Sequence, residues 1–314
     1  MDYAFQAEGL VKRFGKKTAL SGLDLAAPAG TVLGVLGPNG AGKTTAIRIL
    51  ATLMRPDEGR AVVAGFDVVT HASQVRRLIG LTGQYATVDE ELTAFENLVM
   101  VGRLLDLRKA EARSRADELL RQFDLLEAGK QRASVLSGGM RRRLDLAVSL
   151  VGRPRIVFLD EPTTGLDPGR REDLWQLVRR MTAEGVTVLL TTQYLEEADA
   201  LADHICVIDE GRAIADGTPA DLKRIVGGQA IVVRPVDPQQ TDVAVEVLEQ
   251  VAGRRAEPVD RGVVTVPVDD DLVLLEVVKR LAAAKVRLAE FSLRLPSLDE
   301  AFFALTGRSK EARR

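Results

Sequence analysis

Cysteine is nearly missing from this sequence. Cys206 is the only one in 314 residues, so no disulfide can form within the chain. That usage fits a reducing compartment. Histidine is almost as scarce, with only His71 and His204. His71 falls in a polar turn and His204 within the apolar run Leu201–Ile208, so structural roles are expected for both. An excess of either charge is also missing. Lys+Arg number 43 against Asp+Glu 45, a net charge of −2, without the basic surplus of a general nucleic-acid binder. No apolar run reaches the roughly 20 residues that cross a bilayer. Met1–Glu8 lack the basic-then-apolar pattern of a signal peptide. Any membrane contact is therefore expected through a partner. There is no internal repeat and no low-complexity tract. What remains is ordinary globular material, 46% apolar and 28% charged, and disorder is expected only at Ser309–Arg314. The length predicts more than one domain and fewer than three.

Apolar runs rich in β-branched residues alternate with amphipathic ones. Thr31–Leu36, Ile156–Asp160 and Thr187–Thr191 read as buried strands, with helices over Thr44–Leu53 and Arg171–Ala183. Short apolar strands separated by helices predict a parallel sheet covered on both faces. Between Thr93 and Val151 the strand signal disappears. Thr93–Leu105, Lys109–Phe123 and Met140–Val151 read as helices, a helical subdomain inserted at about 85–151. The first domain is expected to span 1–226 and a smaller one 227–314. The second reads strand (Ala230–Val233), helix (Thr241–Val251), short strand near Pro258, strand (Val263–Val266), helix (Leu272–Ala284), strand (Arg287–Leu295). That β-α-β-β-α-β order is the ferredoxin-like arrangement.

Gly37-Pro38-Asn39-Gly40-Ala41-Gly42-Lys43-Thr44-Thr45 matches the pattern G-x-x-x-x-G-K-[ST] between a strand and a helix. Its glycines let the backbone wrap a phosphate and aim N–H groups at it. The helix start adds its positive dipole end. Lys43 can reach the β- and γ-phosphates of ATP, and the Thr44 hydroxyl can hold Mg²⁺. Val157–Leu159 lead into Asp160 and Glu161, two carboxylates at the end of an apolar strand, where ligands of parallel sheets bind. Asp160 suits the Mg²⁺ shell. Glu161 suits accepting a proton from an attacking water. The expected fold class is α/β, a P-loop ATPase sheet core with an inserted helical subdomain plus a small α+β, ferredoxin-like C-terminal domain.

Leu136-Ser137-Gly138-Gly139-Met140 resembles the signature sequence of ATP-binding cassette (ABC) ATPases, which usually reads LSGGQ. The phosphate loop, this signature, Asp160-Glu161 and Gly165-Leu166-Asp167 occur in that family's order and spacing, and the resemblance covers Ala4 to about Asp221. Ser137 also fits a helix N-cap. The resemblance implies ATP and Mg²⁺ as cofactors and assigns roles position by position. Gln84 looks like the glutamine that helps bind Mg²⁺ and senses a membrane partner. Ser137, Gly138 and Gly139 look like the group that contacts the γ-phosphate held by an opposite subunit. Asp167 looks like the interface aspartate, and Phe14 like the aromatic residue stacked on adenine, although a core position would also explain Phe14. Each motif occurs once, so a homodimer enclosing ATP between two chains is implied.

Two departures narrow the group. Met140 replaces the usual signature glutamine, and Gln193 stands where a switch histidine usually lies. With Ser297–Gly307 near the C-terminus, this pattern is similar to the daunorubicin-resistance ATP-binding subunits. That group implies export of amphipathic drugs or lipids, a separate multi-span permease as partner, and a place on the cytoplasmic face of the cell membrane. A glutamine at 193 can hydrogen-bond but not titrate. The run Arg141–Arg143 reads as a solvated or ATP-facing surface, and no nucleic-acid partner is expected. The competing readings are a soluble ABC ATPase acting on ribosomes or DNA, and a regulatory module with little hydrolysis. The first lacks the paired cassettes or long insertions usual there. Glu161 argues against the second.

Overall fold

The chain opens on two long strands, β1 (Tyr3–Phe14) and β2 (Lys17–Pro28), followed by β3 (Val32–Leu36) and helix α1 (Lys43–Leu50). The computed structural model describes residues 3–83, 88–225, 229–259, 262–268, 273–294 and 297–306. Next come β4 (Glu58–Val63), β5 (Phe66–Asp67), α2 (Ala72–Leu78) and β6 (Ile79–Thr82). Strands β2-β1-β4-β5 form an antiparallel sheet. This sheet was not anticipated from the sequence. Register shifts around Gly9 and Leu10 interrupt the alternation of β1, and bulges of that kind erase the period of two that marks a strand. Phe5 of β1 meets Phe158 edge-on at 5.8 Å. Around them Leu10, Leu20, Leu23, Ile47, Leu50 and Val63 form one buried core that joins this sheet, α1 and the central sheet.

The inserted helices follow as α3 (Ala94–Leu104), α4 (Lys109–Gln122) and α5 (Gly138–Ser149). Thr93 and Glu96 cap α3 reciprocally, through Glu96 N–H to Thr93 Oγ1 at 3.1 Å and Thr93 N–H to Glu96 Oε2 at 2.9 Å. Gly102 lets α3 and α4 approach, since a Cβ there would stand 3.0 Å from the Ala112 methyl. Helix α5 starts two residues before the expected Met140, because Ser137 caps it by accepting from Met140 N–H at 3.3 Å.

Then come β7 (Ile156–Asp160), α6 (Pro168–Ala183), β8 (Thr187–Thr192), α7 (Leu195–Leu201), β9 (His204–Asp209) and β10 (Arg212–Gly217). Helix α6 begins at Pro168 rather than Arg171. Asp167 caps it by accepting from Arg170 N–H at 3.0 Å, and proline tolerates the first helical position. The central sheet runs β10-β9-β3-β8-β7-β6, parallel except at the edge pair β9–β10. Every residue of β3, β7 and β8 is buried, which explains the apolar run in each. Cys206 of β9 is buried, and burial pushes its thiol up to about 12, leaving it unreactive. His204 pairs with Asp216 across β9–β10, and His71 bonds Thr70 Oγ1 at 2.8 Å; both sit in local structural contacts, as expected.

The chain divides into two compact units, Met1–Pro219 and Ala220–Arg314. Helix α8 (Pro219–Ile225) begins at the division, and the second unit contains β11 (Gln229–Pro235), α9 (Thr241–Ala252), β12 (Glu257–Val259), β13 (Val263–Val268), α10 (Val273–Ala283), β14 (Leu288–Arg294) and α11 (Leu298–Thr306). Its strand order β12-β13-β11-β14, all antiparallel, is the ferredoxin-like one. It has its own core of Ile231, Val233, Leu248, Val266 and Leu281. No helix among the described residues is long and apolar enough to cross a membrane.

Candidate functional site

Strand β3 ends at Leu36 and the chain turns through Gly37–Gly42 into α1. The turn needs glycine at two places for different reasons. A Cβ at Gly37 would lie 2.3 Å from the Ile208 carbonyl oxygen, so the loop's first residue presses directly on β9. Gly42 has φ +112, and a Cβ there would meet the Ala19 carbonyl oxygen at 2.6 Å. The loop lines a cavity of about 500 Å³ with Asn39, Gly40, Lys43, Thr44, Thr45 and Glu161. Phe14, Lys17 and Ala19, from the β1–β2 hairpin, form another part of its wall. The Phe14 ring is exposed, with the Lys12 ammonium 5.9 Å from its centre.

Lys43 is 5% exposed, so its charge requires partners. Its ammonium donates to the Gly37 carbonyl at 2.7 Å and the Pro38 carbonyl at 3.3 Å, and lies 3.5 Å from Glu161 Oε1. A buried cation held by backbone oxygens at the mouth of a helix suits a phosphate site. One residue on, Thr44 Oγ1 donates to Asp160 Oδ1 at 3.2 Å. The same carboxylate oxygen accepts from Thr191 Oγ1 at 2.6 Å. A hydroxyl and a carboxylate oxygen side by side form half of a hard-cation site of the kind that phosphate oxygens and water complete. Among the described residues no group of three or more His, Cys, Asp or Glu side chains could hold a metal without such help.

Glu161 takes the left-handed conformation, φ +48, rare for a residue with a side chain. Its N–H is held by the Thr191 carbonyl at 3.1 Å and by Thr191 Oγ1 at 3.0 Å. Thr191 thus ties both carboxylate residues to β8. Sequence reasoning missed it, because its importance arises from the pairing of Asp160 with Thr191 across β7 and β8.

Lys43, Thr44, Asp160 and Glu161 therefore meet at one place, with Gly37, Asn39, Gly40, Gly42, Thr45 and Phe14 in the surrounding loop and wall. Ser137 and Gly139 lie elsewhere. They line a separate cavity of about 550 Å³ together with Met140, Leu166 and Arg170. Gly138 leaves open space where a Cβ would be. Asp167 caps α6 and pairs with Arg170 at 3.1 Å. Gln193 is half-buried just past the end of β8. Gln84 lies outside the described residues.

Of Arg141–Arg143, only Arg142 departs from the solvated or ATP-facing surface expected from the sequence. Arg141 pairs with Glu90 at 2.8 Å and Arg143 with Asp124 at 3.2 Å. Arg142 turns inward and donates to the carbonyls of Pro162, Gly83 and Glu161, and burial pushes its pKa down. Helices curl so that residues three apart share a face, and here the packed face takes the middle arginine. A buried carboxyl was also missed. Glu197 of α7 is 1% exposed and accepts from Thr163 Oγ1 at 3.0 Å. Burial pushes its pKa up, opposed by hydrogen bonds and the Arg171 charge.

The ABC transporter family model matches residues 20–164. The chain is 54% identical to the daunorubicin resistance ATP-binding protein DrrA2 of Streptomyces coeruleorubidus, over 98% of this chain and 97% of that one. It is 48% identical to the daunorubicin/doxorubicin resistance ATP-binding protein DrrA of Streptomyces peucetius, over 99% and 94%. Among solved structures it is similar to cbiO1 of Clostridium perfringens, part of the ABC transporter complex cbiONQ, with TM-score 0.66 and 26% identity over 72% of this chain and 94% of that one. It is also similar to a dimeric ATP-binding cassette in a post-hydrolysis state with ADP and Pi, with TM-score 0.63 and 25% identity over 68% and 98%.

Proposed function

The chain belongs to the ABC transporter family as an ATP-binding subunit with ATPase activity, and from this premise we propose that it powers export of an amphipathic drug through a separate multi-span permease. The meeting of Lys43, Thr44 and Glu161 in one cavity, with Asp160 bonded to Thr44 behind it, carries the proposal. Two full-length relatives named for daunorubicin resistance supply the substrate class.

Lys43 and the loop N–H groups hold the β- and γ-phosphates of ATP. Thr44 and Asp160 would hold Mg²⁺, with Gln84 as a further ligand; the ion, when bound, neutralises charge developing on the phosphates. Glu161 accepts a proton from water as it attacks the γ-phosphate, and Gln193 orients that water through its amide. Phe14 stacks on adenine from the rim. Ser137 and Gly139 do not line the phosphate cavity of their own chain. In a two-fold pair, each chain's Ser137–Gly139 segment would close over the partner's ATP, with Asp167 at the interface. The subunit would then sit on the cytoplasmic face of the membrane, held there by its permease.

Coexpressed with the multi-span protein that copurifies with it from membranes, the chain should lower daunorubicin accumulation in a susceptible host, and Lys43→Ala should abolish the effect. Unchanged accumulation with a fully active ATPase would overturn the drug assignment.

A further inference from the structure

Helix α5 begins with the Ser137–Gly139 segment and continues into Arg142, one turn further on. The guanidinium of Arg142 reaches three backbone carbonyls on two other segments. Nε donates to Pro162 at 2.9 Å, Nη1 to Gly83 at 3.2 Å and Nη2 to Glu161 at 3.4 Å. Gly83 follows β6, and Glu161 and Pro162 follow β7. We propose that Arg142 is a positioning residue, which fixes the backbone of the catalytic Glu161 against the helix that carries the signature segment.

The Glu161 conformation supports this. A side chain at φ +48 persists only where its surroundings over-determine it. Thr191 holds the residue from its N–H side, through two acceptors. Arg142 holds it from the other side, through its own carbonyl and the next one. With both sides held, the carboxylate that takes the proton cannot follow the loop's thermal motion. The guanidinium is suited to the task because its planar fork offers five donors in fixed directions, whereas an ammonium is a compact charge on a flexible stem. Asp145, Glu197 and Asp160 surround it and offset the cost of burying the charge. The same contacts have a second consequence. Any rotation of α5 that moves the Ser137–Gly139 segment also pulls on Glu161 and on Gly83. The engagement of one chain's signature segment is thereby transmitted to the proton acceptor of that same chain.

The inference rests on Glu161 as proton acceptor, so Glu161→Gln is measured beside it. If that variant hydrolyses ATP normally, the assignment of Glu161 fails, whatever Arg142 does. For the full-length chain under single turnover, Arg142→Ala should slow hydrolysis on the order of 10²-fold, the cost of small misplacements of reacting groups. ATP affinity should stay within about twofold, because none of the three carbonyls bounds the phosphates. Arg142→Lys should be nearly as slow as Arg142→Ala, and it carries the test if the alanine variant does not fold. In the Glu161→Gln background, Arg142→Ala should cause almost no further loss, since the group it positions is already gone. An equal loss in both backgrounds, a loss of ATP affinity matching the loss of rate, or turnover near that of the unmodified chain would each overturn the proposal.

Discussion

Thr191 joins the two carboxylates of the site, and its removal has a magnitude that follows from four distances. Its hydroxyl donates to Asp160 Oδ1 at 2.6 Å and accepts from Glu161 N–H at 3.0 Å. Thr191→Val keeps the shape and removes the hydroxyl. Glu161 N–H is not orphaned, because the Thr191 carbonyl still accepts it at 3.1 Å. Asp160 keeps the Thr44 hydroxyl at 3.2 Å. The net loss is therefore one hydrogen bond to a charged group, about 1.5–3 kcal/mol. Trp175 is the chain's single tryptophan and lies in α6 of the first unit, so its fluorescence during urea unfolding reports that unit alone. The midpoint should fall at unchanged slope by an amount corresponding to this loss. If the loss is felt in the transition state through Asp160, turnover should fall about 10–150-fold. Thr191→Ser should restore most of both. A valine variant within about 0.5 kcal/mol of the unmodified chain, the ordinary scatter of neutral substitutions, would refute the reasoning.

Glu197 offers a test by pH. Burial raises its folded pKa above the ordinary 4.5. The folded chain therefore holds a proton that the unfolded chain releases, and the resulting stability is present below 4.5 and lost as pH rises through the folded value. Glu197→Gln keeps an acceptor for Thr163 and cannot ionise, so its melting temperature should gain on that of the unmodified chain as pH rises from 4.5 to 8. Parallel melting temperatures for the two proteins across that range would show that burial does not raise the Glu197 pKa. Deleting residues 228–314 should weaken recovery of the membrane partner more than ATP binding, because the second unit has its own core and the phosphate cavity lies in the first; loss of ATP binding with the partner retained would reverse that expectation.

The parts of the site that were legible in the sequence are those written in consecutive residues. Gly37–Thr45 sit between a strand and a helix, and Asp160-Glu161 end an apolar run, so local pattern sufficed for both. Of the parallel strands, β3, β7 and β8 were legible because burial on both faces leaves apolar runs, whereas β6 and β9 were not read. The β1–β2 sheet was not, since its bulges break the alternation. Thr191 and Arg142 were missed for a different reason. Their roles depend on which strand pairs with which and on which helix face turns inward. Neither property is local, and a threonine ending a strand or an arginine in a basic run has no distinguishing pattern. The single signal available for Arg142 was its place one turn after the Ser137 cap, on a helix whose other face is apolar.

The central claim is that Glu161 takes the proton during ATP hydrolysis and that two copies of this chain enclose the nucleotide. One measurement addresses both: light scattering of purified Glu161→Gln with ATP and Mg²⁺, with bound and hydrolysed nucleotide counted in the same sample. The account predicts a particle of twice the monomer mass that retains intact ATP, with hydrolysis slowed about 10²–10³-fold by loss of the general base. A monomer with ATP bound, or hydrolysis at the rate of the unmodified chain, would contradict it.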